Sequence, residues 1–171
     1  VQNAANEDYN EYMKKNVFNA LQMKNTSLGF SDIEMPNRTS FYVKQNGKVM
    51  IAPKVSNEYK AAGGGFVATS EDLILFGNEL INPKTVSKKV ITDITRPLQM
   101  SNGKFTKYGI GIGVINVKNN TLRYSHSGGG MGATAFLLVY PEKEMVISIL
   151  TNLSGVGIRK IVGELEDVFI E

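Results

Sequence analysis

Four β-rich runs follow one another between Tyr108 and Asn152, joined by links only a few residues long. YGIGIGVINV, LRYSHS, ATAFLLVY and MVISILTN carry the period-two patterning of pleated backbone. A parallel connection needs a crossover of a dozen or more residues, so strands joined this closely must run antiparallel. The spacing predicts strands near 108–117, 121–127, 133–140 and 145–151. In the first of them, Gly109, Gly111 and Gly113 alternate with Ile110, Ile112 and Val114, so one face is expected to be bare backbone. IRKIVGELEDVFI then changes period, with Ile158, Ile161, Val162, Leu165 and Phe169 on one stripe. A helix over 157–169 should pack that stripe on one face of the sheet.

The front of the chain is more irregular. Asn6 can cap a helix whose first turn carries Glu7 and Asp8, with Tyr9, Tyr12, Met13, Val17, Ala20 and Leu21 at helical spacing. MKNTSLGFSDIEMPNRTS is rich in turn residues and reads as a loop. FYVKQNGKVMIAP predicts a hairpin on Asn46-Gly47, the dipeptide that tolerates two positive φ angles. Gly63-Gly64-Gly65 reads as a tight loop. Thr69 with Asp72 resembles a capping box, opening a helix with Leu73, Phe76, Gly77 and Leu80 on one face. A short helix from Val86 to Thr95 should stop near Pro97, and SNGKFTK is a loop. Strands with short links between helical segments place the chain in the α+β class.

Composition narrows the functions open to it. At 171 residues the chain has the size of one domain. It has no cysteine and one histidine, which excludes structural disulfides, thiolate zinc sites and multi-histidine metal sites. The net charge is +3, but the lysines are scattered, so no nucleic-acid groove is expected. No apolar run reaches the ~18 residues of a membrane span. VQNAANEDYN has neither a basic nor an apolar segment, so no signal peptide is expected there.

The one histidine, His126, stands before Ser127 and three glycines, Gly128 to Gly130. A bare backbone beside an imidazole suits the close approach of a reacting group; a plain glycine turn with an incidental histidine is the competing reading. A phosphate loop would need a helix straight after the glycines, whereas ATAFLLVY is β-rich and uncapped.

Five segments in register carry a family resemblance. YMKKNVFNALQMKNTSLGF resembles a helix followed by PLGM-x-x-T. AAGGGFVATSEDLILFGNEL resembles GG-x-x-S/T-x-x-DL-x-x-F. YGIGIGV, HSGGGMG and LLVYPEKEMVISILTN follow in the same order. Nearly the whole chain thus resembles the C-terminal part of serine β-lactamase-like proteins. That superfamily includes class C β-lactamases, penicillin-binding DD-peptidases and related esterases, and the likeness is to the mitochondrial branch and its bacterial relatives.

The resemblance implies that residues 1–171 are the rear half of one β-lactamase/transpeptidase-like domain. Three motifs serve catalysis in that family: Ser-x-x-Lys, Tyr-x-Asn, and Lys-Thr-Gly or its His-Ser/Thr-Gly variant. Here the third is His126-Ser127-Gly128; the first two should precede Tyr9 and are absent. Ser101 to Lys104 has the spacing of the first motif, but it sits in a loop far too late in the chain. By resemblance the Gly129 N–H is one oxyanion donor and the absent serine's own N–H the other. Ser127 would meet a substrate carboxylate or relay protons, with Gly128 leaving room for the acyl group. His126 would supply a polar or cationic group. Imidazole changes charge across the physiological range where lysine does not, which favours esterase or peptidase chemistry over β-lactam recognition.

The intact parent is thus expected to be a serine hydrolase acting on a small-molecule or peptide substrate. It should need no metal or cofactor, and a periplasmic or cell-envelope location fits the resemblance. This chain alone, lacking the nucleophile, should be inactive. It should pair with the missing N-terminal half or self-associate around His126 and the Gly109–Gly113 segment. The alternative is a noncatalytic binding or regulatory module that keeps the fold.

Overall fold

The computed structural model describes residues 1–29 and 35–170. The loop expected over Met23–Ser40 therefore falls partly outside the described residues. Two compact units emerge: Val1–Phe76 with Gly128–Thr134 and Leu150–Val156, and Gly77–Ser127 with Ala135–Ile149 and Gly157 onward.

In the first unit, α1 (Gln2–Ala5) ends on Asn6, which takes a left-handed conformation at φ 50°. Asn6 therefore stops one helix and does not start the next. Asp8 caps α2 (Tyr9–Met13) instead, accepting hydrogen bonds from the N–H groups of Asn10 at 2.9 Å and Glu11 at 3.3 Å. A carboxylate is the better partner for the positive end of a helix. A π-helical turn, Lys14–Phe18, continues α2 and turns Phe18 onto Phe66, ring to ring at 5.4 Å and edge-on. The short β1 (Ser27–Leu28) pairs antiparallel with β4 (Phe66–Val67). The hairpin of β2 (Tyr42–Gln45) and β3 (Lys48–Ile51) turns on Asn46 and Gly47, at φ 50° and 77° as the dipeptide requires. The glycine run after Lys60 is wound into a single turn, α3 (Ala61–Gly64).

Helix α4 (Ser70–Ile81) forms half of the expected capping box. Thr69 Oγ1 accepts the Asp72 N–H at 3.3 Å. The Asp72 carboxylate does not reach back; buried, it accepts the Asn25 N–H and the Thr26 hydroxyl, each at 2.7 Å. Aspartate is one methylene too short to close the box, and here it ties the Asn25–Thr26 loop to the helix.

The second unit holds α5 (Lys88–Ile94), capped by Ser87. A four-stranded sheet has the order β5 (Gly113–Asn116), β6 (Leu122–Gly130), β7 (Ala133–Tyr140), β8 (Met145–Thr151), of which Gly128–Gly130, Ala133–Thr134 and Leu150–Thr151 count with the first unit. Short links make it antiparallel throughout, and α6 (Ile158–Phe169) follows. Phe136, Leu138 and Tyr140 from β7 pack with Ile158, Val162 and Ile170, flanked by Met145, Ile147 and Ile149 of β8. On the other face, Gly77 of α4 lies so close to Val146 that a Cβ there would stand 2.5 Å from its methyl. The sheet is thus covered on both faces, which explains why β7 reads as a continuous apolar run.

Three further expectations change. The strand expected from 108 begins only at Gly113. Gly111 sits at φ 77°, the Gly109 N–H donates to Ile112 O at 2.8 Å, and a Cβ on Gly109 would overlap the Ile94 carbonyl at 2.1 Å. Those glycines make a tight turn against α5 rather than a bare face. In contrast, β6 runs past Ser127 to Gly130, so the glycines after His126 are strand, and the reversal falls on Met131-Gly132. On α6, Ile161 and Phe169 are exposed, while Ile170 beyond the helix end is buried.

Candidate active site

The root of β6 is fixed by charge. Arg123 pairs with Glu166 of α6, their side chains only 12% and 13% exposed. The Tyr140 hydroxyl donates to the same Glu166 oxygen at 2.8 Å. Burial pushes the Tyr140 phenol well above its usual range, and the Glu166 carboxylate adds to that, so it remains a donor.

From this root β6 advances through Ser125, His126 and Ser127. The ring of Tyr108 stands beside that of His126, centroids 6.4 Å apart at 59°. Tyr108 is held by its backbone: its carbonyl accepts the Thr106 hydroxyl at 2.6 Å, and its N–H donates to the same hydroxyl at 3.4 Å. Tyr108, Ser125, His126 and Ser127 line a cleft of about 530 Å³, with Arg123 and Arg159 among its other walls. His126 and Ser127 are both exposed.

One edge of the strand is open. The Val117 N–H donates to Thr121 O at 2.9 Å, whereas the Val114 N–H turns away to Lys107 O at 2.9 Å. The odd-numbered residues of β5 and β6 are therefore the ones that exchange hydrogen bonds. Their pairing stops at Gly113 with Ser125. By the two-residue alternation of a strand, the N–H and C=O groups of Ser127 and Gly129 project to that same side. There, no strand among the described residues meets them. A Cβ built on Gly128, Gly129 or Gly130 would find nothing within 4 Å. Packing does not demand glycine at these places; its effect is to leave backbone uncovered.

All four residues singled out from sequence, His126, Ser127, Gly128 and Gly129, are consecutive on β6, the first two in the second unit and the two glycines in the first. Sequence reasoning missed Tyr108, which the glycine alternation disguised as strand. It also missed Ser154, whose hydroxyl accepts the Gly132 N–H at 2.7 Å and donates to Gly130 O at 2.9 Å. Ser154 lies in a pattern-breaking stretch with no signal of its own. Among the described residues, no group of three or more histidine, aspartate or glutamate side chains is placed to hold a metal ion.

A family model described as beta-lactamase matches residues 1–162. The mitochondrial serine beta-lactamase-like protein of Bos taurus is 30% identical over 198 positions, covering 93% of this chain and 35% of that protein. Its Homo sapiens counterpart is also 30% identical, covering 93% and 36%. The chain therefore spans about a third of the length of the curated relatives it matches. Among solved structures, a D-stereospecific amidohydrolase from Streptomyces sp. superposes at TM-score 0.80 with 19% identity, covering 96% of this chain and 50% of that one. A penicillin-binding protein from Bacillus halodurans gives 0.80 at 18% identity, over 98% and 51%. At such identities these two superpositions establish a shared fold.

Proposed function

The chain belongs to the beta-lactamase family of serine hydrolases, and from that premise we propose that it is the rear half of a catalytic domain. It supplies the His-Ser-Gly wall for acyl transfer on amide or ester substrates. The observation that supports this reading is the edge of β6, where among the described residues no strand pairs with the Gly129 N–H beside a glycine-bared backbone.

The chemistry divides between this chain and a nucleophile carried elsewhere. A serine hydroxyl, its proton taken by a base, attacks the substrate carbonyl carbon. The electron pair of the C=O moves onto oxygen, and the Gly129 N–H donates to that oxyanion together with the N–H of the attacking serine. A single such donor is worth ~10²–10³ in rate. Collapse of the intermediate expels the amine or alcohol, and water later releases the acid. Ser127 places its hydroxyl and its own free backbone groups on the same strand, suited to hold an extended substrate. Gly128 leaves space beside them. His126, against Tyr108, offers an imidazole at the cleft mouth.

The one serine of the sequence with a lysine three residues on, Ser101, does not stand in for the nucleophile. Ser101 and Lys104 lie in a tight turn, with the Met100 N–H on Lys104 O at 2.8 Å and Gly103 at φ 80°, not at a helix start. Joining the chain to a preceding segment that carries Ser-x-x-Lys and Tyr-x-Asn tests the proposal. Hydrolysis of p-nitrophenyl esters or amino-acid amides should appear with the joined protein and fall ~10-fold or more when Gly129 is replaced by proline, which has no N–H. A preceding sequence without either motif would instead favour a noncatalytic module.

A further inference from the structure

The tail of β6 poses a mechanical problem. An oxyanion donor must be held in place, yet Gly128, Gly129 and Gly130 have no side chains to anchor them, and among the described residues they pair with a strand on one edge only. Glycine is also the residue with most backbone freedom to lose. Beyond that one-edge pairing with β7, further support for this tail comes at its end.

Within the first unit, that end is gripped. Ser154 Oγ bridges the turn after the strand, accepting from the Gly132 N–H at 2.7 Å and donating to the Gly130 carbonyl at 2.9 Å. The Ser154 backbone is itself tied down: its N–H donates to Tyr42 O at 3.1 Å, and the Tyr42 N–H to Asn152 O at 2.9 Å. The turn cannot slide, because Gly132, at φ 79°, sits where a Cβ would come within 2.5 Å of Phe41 Cβ and 2.9 Å of Ala52 Cβ. Thr134 repeats the tie on the next strand, its hydroxyl donating to Leu153 O at 3.1 Å.

We propose that Ser154 is a positioning residue for the Gly129 N–H: by clamping Gly130 and Gly132 with one hydroxyl it fixes the unpaired edge that receives the oxyanion. This rests on the acyl-transfer reading above, and two separate measurements keep the clamp and that reading apart.

The first measurement is the ¹⁵N–¹H heteronuclear NOE of this chain. Ser154→Ala should lower it at Gly128–Gly130 and leave β5, β7 and α6 unchanged, and Ser154→Thr should restore it. Unchanged values at the glycines, or a loss that Thr does not restore, would overturn the clamp. Should the alanine variant fail to fold, Ser154→Cys, near-isosteric but a weak hydrogen bonder, answers the same question. The second measurement is turnover of the chain joined to its nucleophile-bearing half. There Ser154→Ala should reduce kcat ~10-fold, a fraction of the ~10²–10³ of a lost donor, with KM little changed. An unchanged kcat overturns the positioning role. Absence of any turnover in the unsubstituted protein sinks the acyl-transfer reading and the oxyanion role with it, while the NOE comparison still decides the clamp.

Discussion

At the scale of single residues, Gly132 and Gly129 separate packing from chemistry. Gly132 is at φ 79° and enclosed by Phe41 and Ala52. Gly132→Ala should therefore destabilise the chain by ~1–3 kcal/mol, read from urea unfolding. Gly129 has open space around it, so Gly129→Ala should leave stability within ~0.5 kcal/mol while a methyl now occupies the approach to the strand. Glu79 is a different case. Burial raises its carboxyl, but the Thr85 hydroxyl and the N–H groups of Lys84, Thr85 and Val86 outweigh that and hold it below the usual glutamate range. Its folded value is depressed, so its contribution is present above the unfolded value and fades as pH falls through the folded one. Glu79→Gln should cost ~1–3 kcal/mol at pH 7, with the penalty shrinking in acid. A penalty independent of pH would contradict the assignment.

Among elements, the strands and helices with strong period were legible from sequence, and the exceptions have physical causes. ATAFLLVY and MVISILTN form β7 and β8 as expected, because β-branched and aromatic residues suit a sheet covered on both faces. YGIGIGV has the same alternation, yet Tyr108–Ile112 is a turn: glycine satisfies a period-two pattern without preferring a strand, and Ile94 O needs the space a Cβ would take. The His-Ser-Gly segment was legible as a motif; its open edge was not, because the end of β5 pairing depends on that same turn. The tie between β6 and α6 was invisible, since Arg123 and Glu166 are 43 residues apart. Glu166→Ala would strand a largely buried guanidinium and should cost ~3–5 kcal/mol, whereas Tyr140→Phe, removing one hydrogen bond, should cost ~1–2 kcal/mol. Equal losses for both would mean the ion pair contributes nothing beyond the phenol contact.

For the whole molecule, we propose that one wall of an acyl-transfer site is carried here and the nucleophile elsewhere. The exposed Tyr108 and Ile110 border the candidate strand, and we propose that this surface meets a partner. The proposed partner is the preceding half of the same domain, with self-association as the outcome when that half is absent. Sedimentation at micromolar concentration should give a dimer or larger species for the chain alone and a 1:1 complex once the preceding half is added. A monomer that binds no apolar dye would count against this. The central claim is tested most directly by mass spectrometry after exposure to fluorescent penicillin and p-nitrophenyl acetate. The chain alone should gain no stoichiometric adduct on serine, and the joined protein should be acylated on a serine outside residues 1–171. Stoichiometric acylation of any serine within this chain would contradict the account.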